Sequence, residues 1–556
     1  MSSIIYGCLS SHVLDHADSI KSLRGYFTGR EQCTFKEYRG THYIAGLIQR
    51  DRKERYCFSR EDNMICLVSG SVYGSDHLST GSDAEIVLDA YRRAGVSLAG
   101  SIEGPFVSLI CDINKNRMCI INDVFGAQPF YYTRVNDGII FCSEAEAFIE
   151  CGLIKAKLNC QALADLFVAG FVIGEDTLFD QIFKLDGASV LLYDGAGVNK
   201  KCLTNYFPDE ATEKKLHERY HHTDFLIASS VKQIQRYVCG GRAVFALSGG
   251  LDSRIILKYI LEQKFLPKIV TYSNQLEGLK NDVAYARMLS RHFQFRLNVI
   301  PENPGSVTCL PFMLQRAELR GFARISGHLG DIIKGSPYRI LCHKEADKAD
   351  QAMKRIFSRR FIKRLARHPF ERVTQAVNSI NSSREEKRIS IFCLQNISSF
   401  FKLLSPGQHR FGNSFFKNRH YPYLNKKLIS YLMNMPLRAY INRRFMHGFV
   451  NHAMPDFASL PSTTVDLECS PQYGHPENYV SFSDQQFFSY LETYQRFSPL
   501  WEMDIFNDQF ITQRERMGAC LFNVWHDHYF GFKSSVRKMK RIENKWLKTR
   551  GFLKSM

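Results

Sequence analysis

The stretch from Val244 to Arg254 constrains the fold more than any other feature of this sequence. It reads Val-Phe-Ala-Leu-Ser-Gly-Gly-Leu-Asp-Ser-Arg. An apolar run of strand length passes through Ser248-Gly249-Gly250 into a helical pattern. Adjacent glycines allow φ > 0 and let the backbone approach a ligand closely, and the start of a helix presents free N–H groups to an anion. Asp252 beside a phosphate requires a divalent cation between them, because like charges repel. The stretch therefore predicts a phosphate-binding turn between a buried strand and a helix.

The residues around this stretch have the alternating pattern of an α/β domain. Short apolar runs at 242–247 and 268–272 have strand length, and segments with helical periodicity flank them. Strands and helices that alternate with short connections predict a parallel sheet covered by helices. Helical patterns dominate after about residue 340. The predicted helices before that point are Leu216–Tyr237, Ser253–Gln263 and Asp282–Phe293.

The first 205 residues or so have many short strands and few helices. Apolar runs of strand length are separated by Gly, Asn and Asp turns, and residues 83–94 have helical spacing behind a Ser82 or Asp83 cap. This pattern predicts an α+β layered domain. The polar stretch 205–213 is the predicted linker, so the chain divides into domains at 1–205 and 213–556. The predicted strands are 66–68, 106–113, 118–122, 130–133, 138–142 and 188–193.

The formal net charge of +18 is concentrated in two segments. Residues 354–372 contain eight Lys or Arg against Glu371, and residues 533–554 contain nine against Glu543. The rest of the chain is nearly neutral, which excludes a uniformly basic nucleic-acid-binding protein. In 354–372 apolar side chains recur every four residues, which predicts one amphipathic helix with a solvated charged face. An anionic substrate, an acidic partner or a membrane surface is the alternative interpretation. The apolar stripe consists of Met353, Phe357, Phe361 and Leu365.

The 16 cysteines are spread from Cys8 to Cys520 without C-x-x-C spacing. This distribution disfavours a disulfide scaffold and a zinc site with paired cysteines. The residues after Met1 lack a secretory pattern, and no apolar run approaches the roughly 18 residues of a membrane span. We therefore expect free thiols, a cytoplasmic location and no transmembrane segment.

The stretch 244–254 resembles the pyrophosphate loop of ATP pyrophosphatases, which cleave ATP between its α and β phosphates. Ile325-Ser-Gly-His-Leu-Gly-Asp331 resembles the S-G-x-G-x-D-E stretch of asparagine synthetases. This resemblance implies ATP as co-substrate and Mg²⁺ as cofactor, with Asp252 and Asp331 as metal ligands. The residues that it assigns to ATP are Leu247, Ser248, Gly249, Gly250, Leu251, Asp252, Ser253, Tyr272, Ser273 and Gly327.

The amino-terminal region is similar to the other domain of the same family, a glutaminase of the N-terminal-nucleophile fold. Its elements occur here in family order, so the resemblance covers residues 1 to about 335. It weakens through the helical remainder, where Tyr421-Pro-Tyr-Leu-Asn425 resembles a P-F-L-D element. The matching amino-terminal elements are at 81–88, 104–107, 122–132, 143–144, 177–179 and 186–187.

Three departures from the glutaminase pattern predict a domain that keeps the fold without hydrolysing glutamine. The family's nucleophile is a cysteine whose free α-amine serves as the base. Here Ser2 follows Met1, and Cys8 lies six residues further in. Ser69-Gly70-Ser71 stands where the family has the N-G-E element that holds glutamine, and Asn122 replaces an arginine. Recruitment of Cys8 after processing is the competing interpretation.

His328 is a further departure, in the segment that would face the activated carboxylate. Asparagine synthetases have Glu there, β-lactam synthetases have Tyr, and lasso-peptide cyclases resemble this chain in having His. A near-neutral pKa would suit a base that accepts a proton from an attacking amine, so we assign a catalytic role to His328 together with Asp252 and Asp331. A structural histidine is the alternative. Ile332 replaces an acidic residue and removes one potential metal ligand.

These features together predict an AMP-forming ligase that activates a carboxylate and joins it to a nitrogen nucleophile. The carboxylate belongs to a small molecule, a peptide or a sugar. The nitrogen comes from free ammonia, a separate glutaminase or an amine on the substrate. The alternatives are an ammonia-dependent asparagine synthetase, a tRNA-modifying ATP pyrophosphatase and an inactive scaffold. No specific nucleic-acid partner is expected, and the sequence does not specify an oligomeric state.

Overall fold

The computed structural model describes most of the chain up to residue 462. All helices, strands and contacts below refer to this part. The described residues are 3–28, 33–49, 56–59, 63–73, 82–169, 172–195, 197–203, 206–207, 216–238, 243–265, 267–273, 282–301, 322–327, 330, 354, 357–395, 416–435 and 444–462.

The amino-terminal region contains two antiparallel six-stranded sheets. The strands of the first sheet are β1 (Ile4–Leu9), β2 (Thr34–Gly40), β3 (Tyr43–Gln49), β8 (Tyr131–Val135), β9 (Gly138–Cys142) and β10 (Phe183–Lys184). Their order is β10-β8-β9-β1-β3-β2. The strands of the second sheet are β4 (Tyr56–Ser59), β5 (Met64–Gly70), β6 (Phe106–Asp112), β7 (Arg117–Asn122), β11 (Ser189–Tyr193) and β12 (Val198–Cys202). Their order is β12-β11-β7-β6-β5-β4.

These sheets form the inner layers of a four-layer sandwich with helices on both outer faces. Alternation along β1 shows the arrangement: Ile5 and Leu9 pack between the sheets, whereas Tyr6 and Cys8 pack under the first helical layer. That layer contains α1 (Ala17–Thr28), α3 (Ala145–Glu150) and α4 (Cys160–Ala169). On the other side, α2 (Asp83–Ala94) covers the second sheet, and Ser82 caps it in a capping box with Glu85. The layered α+β architecture is therefore confirmed.

The region after residue 215 is built on a five-stranded parallel sheet. Its strands are β13 (Ala243–Ala246), β14 (Lys268–Ser273), β15 (Leu297–Pro301), β16 (Phe322–Ser326) and β17 (Phe416–His420), in the order β15-β14-β13-β16-β17. The helices α5 (Leu216–Val238), α6 (Leu251–Glu262) and α7 (Asp282–His292) accompany it. The predicted alternation of strands and helices is confirmed for this stretch.

The remaining described helices are short. They are α8 (Arg359–Ile362), α9 (Pro369–Asn378), α10 (Glu385–Gln395), α11 (Lys426–Met433), α12 (Arg444–Ala453) and α13 (Pro455–Ala458). No helix in the described part of the chain is both long and apolar enough to cross a membrane.

The prediction of a single amphipathic helix at 354–372 is wrong. Ser358 caps α8 by accepting a hydrogen bond from Phe361 N at 3.1 Å, and Pro369 begins a separate helix. Proline has no N–H and disfavours helical conformation in the residue before it, so it starts a helix more readily than it continues one. Phe357 and Phe361 of the apolar stripe are nevertheless buried in the core under α1, α3 and α4, and Leu365 is partly buried against it. Met353 lies outside the described residues.

The sandwich and the parallel-sheet region share one apolar core. It includes side chains of α2 and β6 from the sandwich together with side chains of α5, α6 and α11. Of the predicted linker at 205–213, the structure describes Tyr206 and Phe207, and Phe207 is buried in this shared core.

Candidate functional site

The candidate site lies where β13 and β16 end side by side. Ala246, the last residue of β13, pairs with Val270 of β14 on one side and Ser326 of β16 on the other. The chain leaves β13 toward β14 and β15, then returns to add β16 on the opposite side. The carboxyl edge between such strands is a topological switch point, where open parallel sheets form their ligand crevice. Both segments singled out in the sequence follow these two strands.

The loop after β13 is closed by hydrogen bonds between its own serines. The hydroxyl of Ser253 accepts from Ser248 N at 3.1 Å, and the two serine Oγ atoms are 2.9 Å apart. Gly250 N donates to Ser248 Oγ at 3.3 Å. Gly250 has φ −81° and ψ 158°, a conformation open to any residue, so the turn itself does not require a glycine at this position.

A carboxylate lies against the amide of the neighbouring glycine. Gly249 N donates to Asp282 Oδ1 at 2.7 Å, and Asp282 begins α7, the helix that follows β14. An anion therefore already occupies one of the N–H groups that the sequence assigned to phosphate. The contact demonstrates that this amide can donate to an anionic oxygen in the folded protein.

The segment after β16 packs directly on the start of α6 through its glycines. A Cβ at Gly327 would lie 3.0 Å from Ser253 Cα, and a Cβ at Gly330 would lie 2.6 Å from Asp252 Oδ1. These distances leave no room for a side chain beside the carboxylate of Asp252. Gly327 and Gly330 of the second motif thus lie against the first motif. A carboxylate suits a hydrated Mg²⁺, and two hydroxyls and a helix start can donate to phosphate oxygens.

The structure describes some of the other predicted site residues and leaves others outside the described part of the chain. Leu247 and Leu251 are buried at the ends of β13 and α6, and Leu247 N extends the sheet by donating to Val270 O at 2.8 Å. Tyr272 and Ser273 end β14 at the same edge of the sheet. His328, Asp331 and Ile332 lie outside the described residues. Within the described part of the chain, no group of three or more His, Cys, Asp or Glu side chains is arranged to hold a metal.

Three side chains that sequence reasoning missed support this site. Asp282 contacts the loop as described, and the parallel-sheet pattern contains a signal for it, since α7 begins at the edge where β13 ends. Tyr423 is fully buried and donates to the carbonyl oxygen of Asp252 at 2.7 Å. Arg254 is fully buried and donates to Leu460 O at 3.1 Å and to Pro461 O. The last two contacts join distant parts of the chain and have no local signal.

The region that matches the glutaminase pattern contains no accessible thiol nucleophile among its described residues near β1. Cys8 is fully buried in β1, and burial raises the pKa of its thiol to about 12. Ser69 Oγ donates to Ser3 O at 2.5 Å and accepts from Gln128 Nε2 at 2.9 Å. Asn122 Nδ2 donates to Leu185 O at 2.8 Å. The residues that replace the family's glutamine-binding groups are therefore engaged in hydrogen bonds within the sandwich.

Comparison with known proteins agrees with this arrangement. The glutamine amidotransferase domain family matches residues 72–207. The putative asparagine synthetase (glutamine-hydrolyzing) 2 of Methanocaldococcus jannaschii is 26% identical over 249 residues, which cover 42% of this chain and 47% of that protein. Asparagine synthetase (glutamine-hydrolyzing) 2 of Bacillus subtilis is 26% identical over 258 residues, which cover 42% of this chain and 34% of that protein. The matches thus span less than half the length of either relative.

Among solved structures, the glutamine phosphoribosylpyrophosphate amidotransferase from B. subtilis complexed with ADP and GMP covers 63% of this chain and 79% of its own at 10% identity. Its TM-score is 0.26. The sequence relatives and the amidotransferase domain match are consistent with the motifs that the structure brings together after β13 and β16. Residues 72–207 thus match the glutamine amidotransferase domain family, and the chain is similar over 42% of its length to asparagine synthetases, as a divergent relative.

Proposed function

We propose that this protein is an ATP-dependent, AMP-forming ligase that joins a carboxylate to an amine or ammonia. The observation that carries the proposal is the contact between the loop after β13 and the glycines after β16, at the switch point of the parallel sheet. A crevice at that position is where a parallel sheet of this topology binds its ligand. The proposal needs ATP at the loop and the substrate carboxylate next to its α-phosphate.

The loop would hold the β and γ phosphates. The N–H groups at the start of α6 and the hydroxyls of Ser248 and Ser253 are the donors that would face them. A phosphate oxygen would displace the Asp282 carboxylate from Gly249 N, because the two anions compete for one amide. The displaced carboxylate would then be solvated by water or solvent cations. Tyr272 and Ser273, at the end of β14, would face the adenine side, and Gly327 would let the nucleotide approach the start of α6.

Asp252 and Asp331 would hold Mg²⁺. The ion would neutralise the charge on the departing pyrophosphate, which is the usual contribution of magnesium to phosphoryl chemistry. The position of Asp252 in the first turn of α6, against Gly330, supports its role as a metal ligand. Like charges on a carboxylate and a phosphate would otherwise repel each other across this short distance.

The reaction would proceed in two displacements. A carboxylate oxygen attacks the α-phosphorus, and the bond to the bridging oxygen breaks to release pyrophosphate. The nitrogen nucleophile then attacks the acyl carbon, its proton passes to His328, and AMP leaves with the electron pair of the C–O bond. Preorganised donors around the departing phosphates lower the barrier, because charge develops there in the transition state.

The sandwich would not supply ammonia from glutamine. This part of the proposal is supported by the burial of Cys8, by its raised pKa and by the internal hydrogen bonds of Ser69 and Asn122. The nitrogen would come from free ammonia, a separate glutaminase or an amine on the substrate itself.

The experiment that tests the proposal identifies the nucleotide product. Purified protein is incubated with ATP, Mg²⁺ and a panel of carboxylates, each with and without ammonium, and nucleotides and pyrophosphate are quantified by chromatography. We expect AMP and pyrophosphate in equal amounts with the correct carboxylate. Production of ADP and orthophosphate in their place would overturn the mechanism.

A further inference from the structure

We infer that Tyr423 positions Asp252, and that the amidotransferase-like sandwich is a structural part of the nucleotide site through residues 420–426, here called the bridging segment. This inference rests on the proposed function, since it assigns Asp252 to the metal and nucleotide. It gives the sandwich a role that does not depend on glutamine. Tyr423 and Tyr73 would be positioning residues, because neither is argued to touch substrate.

Tyr423 links the bridging segment to the start of α6. Its side chain is fully buried, and its hydroxyl donates to Asp252 O at 2.7 Å. The bond fixes the backbone of the residue whose side chain would hold Mg²⁺, within the first helical turn. A phenylalanine would fill the same space without this bond, so the hydroxyl is a contribution that apolar packing does not explain.

The sandwich holds the bridging segment at both ends. At one end, His420 Nδ1 and the hydroxyl of Tyr73 share a hydrogen bond of 2.6 Å. At the other, Lys426 N donates to Glu103 Oε2 at 3.1 Å, and the Lys426 ammonium donates to Gly100 O. These anchors are connected within the sandwich, since Tyr73 N donates to Glu103 O at 2.8 Å.

Because these contacts are partly buried, they determine the position of the bridging segment on the sandwich. Glu103 and Lys426 are both partly buried, and desolvation raises the pKa of the Glu103 carboxyl and lowers the pKa of the Lys426 ammonium. Desolvation offsets much of the attraction in buried polar contacts of this kind. These contacts still fix the position of the bridging segment on the sandwich, because any other position would leave a desolvated donor without its hydrogen-bond partner and would destabilise the protein.

The bridging segment also adjoins the second half of the site. His420 ends β17 and pairs with Ile325 of β16, two residues before Gly327, which packs against Ser253. Both loops of the site are therefore connected to the sandwich by buried contacts. A change in the sandwich at Tyr73 should consequently alter affinity for nucleotide, although the sandwich contributes no residue to the loop.

The test compares three tyrosine-to-phenylalanine variants. Tyr423→Phe and Tyr73→Phe each remove one hydroxyl of the proposed link. Tyr259→Phe is the matched control: Tyr259 is a fully buried residue of α6 whose hydroxyl also makes a 2.7 Å hydrogen bond, but to the side chain of Asp224 in α5 rather than to Asp252. Calorimetry gives the Kd of Mg·ATP and of ATP in EDTA, and thermal unfolding gives the Tm of each ligand-free variant.

We expect Tyr423→Phe and Tyr73→Phe to raise the Kd of Mg·ATP about three- to tenfold, the range set by losing one buried hydrogen bond. The effect should shrink to less than about twofold for metal-free ATP, since Tyr423 acts through a metal ligand. Tyr259→Phe should leave both constants unchanged. In the double variant Tyr73→Phe/Tyr423→Phe, the increase should be smaller than the product of the single increases, because both residues act through one segment.

Several results would overturn the inference. These are unchanged Mg·ATP affinity in both variants, an equal loss in the Tyr259 control, the same loss with metal-free ATP, or fully multiplicative effects in the double variant. Absence of Mg·ATP binding by the wild-type protein would overturn it as well. If binding follows the expected pattern while no carboxylate yields AMP, the proposed reaction fails and the structural link stands.

Discussion

At the scale of single residues, Asp252 is the side chain on which the proposed chemistry depends most. It lies in the first turn of α6 against Gly330, and its replacement by asparagine preserves shape while removing the charge. We expect Asp252→Asn to reduce AMP formation about 100-fold or more, since a metal ligand is lost. The ligand-free Tm should not fall, because the main-chain contact with Tyr423 is retained.

The control for this substitution is Glu262→Gln at the opposite end of the same helix. The side chain of Glu262 is 56% exposed and 3.5 Å from the Lys258 ammonium, so removal of its charge should leave AMP formation unchanged. An Asp252→Asn enzyme that retains the wild-type rate would exclude Asp252 as a metal ligand.

Cys8 gives a second prediction, which concerns pH. Its pKa of about 12 exceeds the ordinary value because the thiol is buried. At pH 8 the thiolate fraction is then about one in ten thousand, and it rises only as the pH approaches 12. Cys8 should resist alkylation in the native protein at pH 8 and react after unfolding in urea, whereas the exposed Cys202 should react in both states.

Mass spectrometry of the alkylated peptides measures this difference directly. The same preparation should release no glutamate from glutamine. Glutamate release that disappears in Cys8→Ala would show that the thiol is a nucleophile and that the sandwich is an active glutaminase.

At the scale of elements, an ion-pair network around Arg372 helps to hold the basic segment 354–372 to the sandwich. Arg372 in α9 lies 2.5 Å from Asp165 of α4 and 2.7 Å from Asp176. The side chain of Asp165 is fully buried. Removing the guanidinium leaves an uncompensated carboxylate in the core, so Arg372→Met should destabilise the protein by about 3–5 kcal/mol.

Thermal unfolding checks this prediction. Adding Asp165→Asn to Arg372→Met should recover part of the lost Tm, because the stranded charge is then gone. Arg360→Met, at an exposed position of the same basic segment, should change the stability by less than about 0.5 kcal/mol. A double variant no more stable than Arg372→Met would contradict the ion-pair explanation.

The exposed cations of the same segment lead to a prediction about nucleic acid. Arg359, Arg360 and Lys363 are exposed, whereas Phe357 and Phe361 are buried, so the described part of the segment has no aromatic surface for stacking bases. We expect RNA binding that is independent of sequence and falls steeply between about 50 and 200 mM salt. Fluorescence anisotropy with unrelated RNA oligonucleotides measures it, and tight, salt-resistant binding of one sequence would contradict it.

The elements also show what the sequence could and could not predict. The Ser82 cap, the strands β13 and β14 and the turn at 248–250 depend on local chemistry, and each is predicted from the sequence, whereas β15, β16 and β17 are not. The extended helix at 354–372 was wrong because periodicity outweighed the signal of Pro369. The contacts of Tyr423 and Arg254 join residues far apart in sequence, so no local pattern indicates them. Asp282 was accessible in principle from the topology of parallel sheets.

At the scale of the whole molecule, the two architectures are joined by a shared apolar core and by buried polar contacts. Side chains of α2 and β6 pack in the same cluster as those of α6 and α11, and Asp83 of α2 accepts from the hydroxyl of Tyr237 in α5 at 2.7 Å. A sandwich that is packed in this way cannot be lost without exposing the core of the parallel-sheet region, whether or not it hydrolyses glutamine. Its retention therefore needs no glutaminase activity.

The last prediction concerns the substrate: aspartate is not the carboxylate that this protein activates. His328 stands where asparagine synthetases have Glu, and the glutamine-binding groups of the family are replaced by residues that bond within the sandwich. A free-standing asparagine enzyme needs a nitrogen supply. If the sandwich supplies none, we expect the nitrogen to come from an amine already present on a larger molecule or from ammonia delivered by a partner. Ring closure on a peptide or small metabolite, and amidation of an acidic sugar, both fit this requirement.

The test compares the rate of pyrophosphate release with aspartate to the rates with a panel of peptide and sugar carboxylates, each with and without ammonium. We expect background rates with aspartate under both conditions and faster release with a larger carboxylate. Dependence on ammonium then separates the two remaining chemistries, because ring closure proceeds without it and amidation of a sugar requires it. Formation of asparagine from aspartate and ammonia at about 1 per second or more, an ordinary enzymatic rate, would make the protein an ammonia-dependent asparagine synthetase.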